Sequence, residues 1–206
     1  MKMQNTKTRL INSAARLENA KQLGFTLIEF MVVLALVVLV GMVSYPRAVG
    51  YYTATKVPYV ADDVKVFVTR FKASTQGYGI SPFEGMTQQA FARAVKNTNL
   101  QVGDISGEGA TSETVRHGLG GNEAGTVVFA ESGNEFTLTF AKVSEYACPD
   151  FVGQIQALGS KVTINGVSVK TTDATGNLTS AYNDAKSRGQ CKDGDSNEFV
   201  LTVGTN

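Results

Sequence analysis

Residues 25–43 of the chain read FTLIEFMVVLALVVLVGMV, and this stretch decides the fold. No charged side chain occurs in residues 30–43. A helix needs about 20 apolar residues to cross the hydrocarbon core of a bilayer. We therefore predict one membrane-spanning helix here, which leaves the rest of the 206-residue chain to form a single folded domain.

Charge is unevenly distributed around this stretch. Residues 1–24 hold five basic residues and one acidic residue, whereas the whole chain has a net charge of only +1. The excess of basic residues predicts that the N-terminal side lies in the cytoplasm, by the positive-inside rule, and that the domain after the helix lies on the other side of the membrane. The balanced total gives no argument for a nucleic-acid partner.

Three other interpretations of the apolar stretch remain open: a buried core helix, a plain membrane anchor, and a secretory signal peptide cut near Ala48-Val49-Gly50. Glu29 favours a fourth interpretation, in which the helix becomes part of an assembly. A carboxylate inside a membrane costs about 2.5–3.5 kcal/mol on insertion scales, and neither a signal peptide nor an anchor gains from it. Glu29 therefore predicts a cationic partner supplied by an assembly, unless the side chain reaches back to the interface.

The segment Gly24-Phe25-Thr26-Leu27-Ile28-Glu29 resembles the processing site of type IV prepilins. The resemblance implies cleavage between Gly24 and Phe25 by a membrane-bound prepilin peptidase, followed by N-methylation of the Phe25 amine. It also implies that Glu29 pairs with the Phe25 amine of a neighbouring subunit in a helical filament, built by a pilus assembly platform and its ATPase. The chain would then be a structural subunit without catalytic activity, held in the inner membrane and later exported as an extracellular pilus for adhesion, aggregation or conjugative contact.

The predicted 24-residue leader and long mature chain resemble the type IVb subclass, although Phe as first mature residue is more usual in type IVa. A type II secretion pseudopilin and a minor pilin are the nearest alternatives. A membrane-anchored periplasmic binding or hydrolytic domain is the alternative from another class, and would need a pocket with convergent polar groups.

Around the end of the apolar stretch, Gly41 and Pro46 predict a helix break that is bent in the subunit and extended or melted in the fibre, because proline removes one helical hydrogen bond and restricts the residue before it. Apolar residues then recur at spacings of three and four, which is typical of an amphipathic helix; they are Val57, Val60, Val64, Phe67, Val68 and Phe71. The predicted regions are a leader (1–24), a membrane or filament-core half-helix (25–46), an amphipathic half-helix (47–76) and a head (77–206).

The head predicts an α+β fold, with the long N-terminal helix packed against an antiparallel sheet. Short helices are predicted over residues 86–96 and 149–158. Strands are predicted over residues 126–130, 136–143, 162–164, 167–169 and 198–203, with Asn165-Gly166 as the strongest hairpin turn. Residues 98–125 and 171–189 predict little regular structure.

Two cysteines, Cys148 and Cys191, lie in the predicted external domain, where disulfides persist. They allow one intrachain pairing, with two free thiols as the alternative. The resemblance implies the same feature, a disulfide-bounded region (148–191) that forms exposed fibre surface.

The remaining sequence patterns give only weak indications of function. Asp193, Asp195 and Asn197 alternate as in a calcium loop but lack the later ligands, so a solvated turn is expected. His117, the only histidine, is expected in a surface loop, without a Gly-x-Ser-x-Gly elbow to support a catalytic triad. We predict no cofactor and no metal.

Overall fold

The computed structural model describes residues 26–75, 79, 81–103, 113–121, 124–173 and 175–205. The chain divides into two compact units, residues 1–45 and 46–206. Helix α1, Leu27–Thr75, runs through the boundary between them. The predicted limits of the leader, half-helices and head stay predictions.

In the first unit, the described residues form the beginning of α1. Every residue from 26 to 45 is exposed, and most of them are apolar. This part of the helix is long and apolar enough to span a membrane. Since isolated proteins rarely expose so much contiguous apolar surface, an apolar environment has to cover it.

The second unit builds its core around the later part of α1. The predicted apolar face is confirmed, since the helix buries residues spaced three and four apart: Val57, Val60, Ala61, Val64, Phe67 and Val68. Phe67 is central, because its ring lies 4.9 Å from that of Phe91 and 6.2 Å from that of Phe136. Burying such a side chain contributes about 1.5–3 kcal/mol, so this face holds α1 against the head.

The remaining elements are α2 (Gln88–Val95), β1 (Gln101–Val102), β2 (Val115–Arg116), β3 (Thr126–Ser132), β4 (Glu135–Val143), α3 (Cys148–Ile155), β5 (Lys161–Ile164), β6 (Val167–Thr172), β7 (Leu178–Ser180), α4 (Asp184–Arg188) and β8 (Asn197–Gly204). They confirm the predicted α+β class. The eight strands form one antiparallel sheet in the order β1-β2-β3-β4-β8-β5-β6-β7.

Strand β4 shows why the sheet packs on one face. Phe136, Leu138 and Phe140 are fully buried and alternate with less buried residues, as a strand with one covered side requires. The Asn165-Gly166 hairpin is also confirmed. Both residues have positive φ, at 51° and 82°, as the two-residue turn demands.

Two regions are more ordered than the sequence indicates. Residues 98–125 contribute the short strands β1 and β2, and residues 171–189 contain β7 and α4. Helix α4 begins where the Asn183 side chain accepts a hydrogen bond from the Lys186 amide at 2.9 Å. Arg188 then pairs with Asp184 at 2.7 Å and with Asp150 of α3 at 3.5 Å. A helix cap, one ion pair within α4 and one ion pair to α3 thus help to order a segment that lacks hydrophobic periodicity.

The predicted disulfide is present between Cys148, at the start of α3, and Cys191, after α4. It joins residues 43 positions apart. The enclosed segment includes β7, whose residues are all exposed. Apolar burial therefore contributes little to the order of β7.

We expect Cys148→Ser to lower the free energy of unfolding of the head. The chain-entropy model assigns about 4 kcal/mol to a closed loop of this length. The measurement is the denaturant midpoint of the full chain in micelles under oxidising conditions, with protease digestion as a second readout. Wild-type protein in reducing agent serves as the control and should behave like the variant. Equal midpoints for oxidised wild type and variant would contradict the role of the bridge.

Candidate functional site

Thr26 and Glu29 form a reciprocal pair at the start of α1. The Thr26 hydroxyl accepts a hydrogen bond from the Glu29 amide at 3.3 Å. The Glu29 carboxylate in turn accepts bonds from the Thr26 amide at 3.0 Å and the Thr26 hydroxyl at 2.9 Å. This is a capping box, which satisfies amides that the first turn of a helix leaves without partners.

The capping box changes what Glu29 can do. Both bonds that the carboxylate accepts reach one oxygen, Oε2. A carboxylate has lone pairs for about four hydrogen bonds, so the group retains capacity for a cation while Thr26 holds its position. Glu29 therefore begins the helix and presents a negative charge at the head of an apolar rod.

Gly24 and Phe25 lie outside the described residues, so their predicted roles in processing stay predictions. The Thr26 amide belongs to the peptide bond between residues 25 and 26. Cleavage after Gly24 would leave that bond intact, and the capping box would survive processing.

Gly41 and Pro46, the predicted helix break, fall within α1, which is helical throughout Leu27–Thr75. Proline has no amide hydrogen, so the carbonyl of Met42, four residues earlier, loses its usual helical donor. The backbone here is helical but has one hydrogen bond fewer. The predicted bend and its melting in a fibre stay predictions.

His117 is not in a surface loop, and that expectation was wrong. Its side chain is fully buried. Nε2 lies 2.7 Å from the Ala141 carbonyl oxygen, and Nδ1 accepts a hydrogen bond from the Leu119 amide at 2.9 Å. A carbonyl only accepts and an amide only donates, so the ring is neutral with its proton on Nε2. Both ring nitrogens are hydrogen-bonded to backbone groups, so neither is available for a catalytic triad.

The expectation of a solvated turn at residues 193–197 was correct for Asp193 and Asp195 and wrong for Asn197. Asn197 is fully buried, whereas the two aspartates are exposed. Its Oδ1 accepts bonds from the Lys192 amide at 2.7 Å and the Asn165 amide group at 3.0 Å. These donors occupy the oxygen that a calcium ion would need. No group of three or more metal-ligating side chains occurs among the residues that the structure describes.

Thr26 is a residue of the candidate site that the sequence analysis did not predict. The pattern Thr-x-x-Glu before an apolar run is the signature of a capping box and was visible in residues 26–29. Glu29 is the acidic residue of that box as well as a charge at the head of the apolar stretch.

Comparison with known proteins gives two family matches. Residues 84–204 match the family described as PilS N terminal, and residues 19–45 match the prokaryotic N-terminal methylation motif. Among curated protein sequences, none matches this chain.

Two solved structures are similar to the chain. One is a type IVb pilin from Salmonella typhi, at 21% identity and a TM-score of 0.45, covering 74% of this chain and 98% of that one. The other is TcpA, a type IV pilin from Vibrio cholerae El Tor biotype, at 11% identity and a TM-score of 0.40, covering 74% of this chain and 99% of that one.

We expect the buried neutral His117 to make the head sensitive to mild acid. Burial lowers the pKa of its imidazole, and the Ala141 carbonyl and the charge of Asp195 only partly oppose this effect. The unfolded chain, with a His pKa of about 6.5, therefore binds the proton more readily. The stabilisation is complete above that pH and is lost as the pH falls below it toward the folded pKa.

The variant His117→Asn checks this sensitivity. Its side-chain oxygen can still accept the Leu119 amide, but the group does not titrate. The difference in free energy of unfolding between wild type and variant should shrink from pH 7.5 to pH 4.5, since exposed carboxylates are common to both proteins. A difference independent of pH would contradict the expectation.

Proposed function

The chain belongs to the PilS N-terminal family and is a type IV pilin, and from this we propose that Glu29 directs its assembly by pairing with the Phe25 amine of a neighbouring copy. The observation that carries the proposal is the capping box. It fixes a carboxylate at the first turn of a helix whose residues up to 45 are all exposed and mostly apolar. The new amine would arise by peptidase cleavage after Gly24.

The strength of this pairing depends on where it forms. Two opposite charges 4 Å apart attract by about 1 kcal/mol in water and by about 4 kcal/mol at an effective dielectric constant of 20. Packing apolar helices together removes water, so the attraction grows as a subunit enters the fibre. A copy that enters out of register leaves a carboxylate buried without a cation, which costs several kcal/mol. The pair therefore selects axial register.

We propose that the exposed apolar surface of the helix is covered first by lipid and later by other copies of the chain. In the inner membrane, lipid would cover residues 25–46, with the basic leader in the cytoplasm and the head in the periplasm. In the fibre, the same side chains would pack against those of other copies. Because both environments are apolar, transfer between them needs little change in hydration.

The head would form the outer surface of the fibre, and the disulfide would keep its loop-rich part ordered outside the cell. We propose a purely structural role, without catalysis, in which the fibre serves adhesion, aggregation or conjugative contact. The partners would be other copies of the chain, the prepilin peptidase, and the assembly platform with its ATPase.

We expect Glu29→Val to insert into the membrane normally but to lower the filament yield about tenfold or more. The reason is that a charge-assisted hydrogen bond contributes about 1.5–3 kcal/mol. Glu29→Gln is the matched control for capping, since its amide oxygen can still accept the Thr26 bonds without the charge. The filament yield of Glu29→Gln should fall by a similar factor. Electron microscopy and the sheared surface fraction give the yield, and normal fibres from either variant would refute the pairing.

We expect Gly24→Leu to block processing, because glycine at the cut site leaves the backbone open to the peptidase. N-terminal sequencing and intact mass would then show residues 1–24 retained and no added methyl group. Gly24→Ala, with the smallest possible side chain, is the control and should be processed at least in part. A Gly24→Leu chain that begins at methylated Phe25 would contradict the assigned site.

A further inference from the structure

The Asn165-Gly166 turn between β5 and β6 is chemically reactive as well as tight. In an Asn-Gly pair, the glycine amide nitrogen can attack the side-chain carbonyl carbon of the asparagine, because glycine has no side chain to hinder the approach. A new carbon–nitrogen bond forms, the bond from that carbon to the side-chain amide nitrogen breaks, and ammonia leaves with the proton of the glycine amide. Water then opens the cyclic imide to aspartate or isoaspartate.

The surroundings of Gly166 do not block this reaction. Gly166 is exposed, so water reaches the turn. A side-chain carbon placed on Gly166 would meet no atom of the described residues within 4 Å, so the space around the attacking nitrogen is open. The reaction therefore depends on whether the Asn165 side chain is free to rotate toward the Gly166 amide.

Three hydrogen bonds tie the Asn165 side chain to the chain beside Cys191, and we call them the amide latch. Nδ2 donates to the Gln190 carbonyl at 2.7 Å and to Oδ1 of Asn197 at 3.0 Å. Oδ1 accepts the Glu198 amide at 2.9 Å. The side chain has to leave these partners before it rotates, so the latch raises the barrier to deamidation.

Asn197 fixes the chemical demand of the latch. It is fully buried, its Oδ1 also accepts the Lys192 amide at 2.7 Å, and its Nδ2 donates to the carbonyls of Val143 and Lys192 at 3.2 and 2.9 Å. A flip of this amide would break these bonds, so Oδ1 remains the atom that faces Asn165. Both Oδ1 and the Gln190 carbonyl are acceptors only, and together they require a donor at position 165.

The disulfide holds one side of the latch in place. Gln190, whose carbonyl accepts the shorter of the two bonds from Nδ2, directly precedes Cys191. Cys191 is joined to Cys148 of α3, and α3 is anchored in the core by the fully buried Phe151 and Ile155. Loss of the bridge would remove this covalent link and allow the Gln190 carbonyl to move away from its donor.

We propose that Asn165 is a deamidation site that the disulfide protects. In an oxidised head the amide latch keeps Asn165 intact, whereas in a head without the bridge the side chain is released and converts. The product carboxylate offers no donor to the Gln190 carbonyl or to Asn197, and it places negative charge against both oxygens. A converted copy would therefore be unable to re-form the latch. The inference goes beyond the proposed pilin function and does not depend on it, since it concerns the head of a single copy.

Peptide mapping by mass spectrometry measures the conversion of Asn165 over time, with the full chain in micelles at mildly alkaline pH. We expect conversion to be at least tenfold faster in reduced wild type and in Cys148→Ser than in oxidised wild type, because a tenfold change corresponds to about 1.4 kcal/mol and three hydrogen bonds supply at least that much. Reduced chain in guanidinium gives the unprotected rate. Asn177 is exposed but followed by leucine, so it is the internal reference and should convert slowly in every folded sample.

A stability-matched sample separates release of the latch from general unfolding. Oxidised wild type in enough denaturant to equal the free energy of unfolding of Cys148→Ser has the same unfolded fraction but keeps the bridge. We expect Asn165 to convert more slowly in this sample than in the variant. Equal rates in these two samples would overturn the proposal, and so would equal rates in oxidised and reduced wild type without denaturant.

The variant Asn165→Asp tests the consequence of conversion. Aspartate tolerates the positive φ of this position, so the turn is preserved while the two donated bonds are lost. We expect protease cleavage within residues 190–198 of the oxidised chain to become about tenfold faster. Val167→Asp adds the same charge at an exposed site of the hairpin and should leave the cleavage rate unchanged. Wild-type cleavage rates in Asn165→Asp would overturn the role of the latch, whereas absence of filaments from wild-type cells would refute only the proposed function.

Discussion

A carboxylate at the head of an apolar helix needs hydrogen-bond donors and a counter-charge once water is excluded, and the structure provides Glu29 with the donors. Thr26 supplies donors within the chain, which begin the helix and fix the carboxylate. The remaining negative charge needs a cation that no residue in the following apolar stretch can provide. The proposed source is the amine that processing creates one residue before Thr26. The chemistry that matures the subunit would thus create the group that allows it to assemble.

The second unit is stabilised by different forces. Phe67, Phe136 and their neighbours bury the later face of α1 against the sheet, and this burial is independent of lipid or of other copies. His117 and Asn197 add buried polar groups whose partners are mostly backbone atoms, so they fix loops around the end of β4.

Residues with strong periodicity were predictable because one local rule governs each of them. Phe136, Leu138 and Phe140 alternate, and Asn165-Gly166 adopts the positive φ values that its turn requires. Residues without such a rule were not predictable. The sequence places His117 at the surface, whereas in the structure its ring is hydrogen-bonded to Ala141 and Leu119. Helix α4 is ordered by its N-terminal cap and by the ion pair between Arg188 and Asp150. Long-range partners decide these positions, and no spacing in the sequence encodes them.

By itself, the sequence determined the long N-terminal helix, the α+β class and the single available disulfide, because hydropathy and periodicity act over short distances along the chain and two cysteines allow one intrachain pairing. Only the tertiary structure decided that β8 lies between β4 and β5 and that His117 is buried and neutral. Strand order and the placement of charge depend on contacts between residues far apart in sequence, whose free energies are settled only when the whole core packs together.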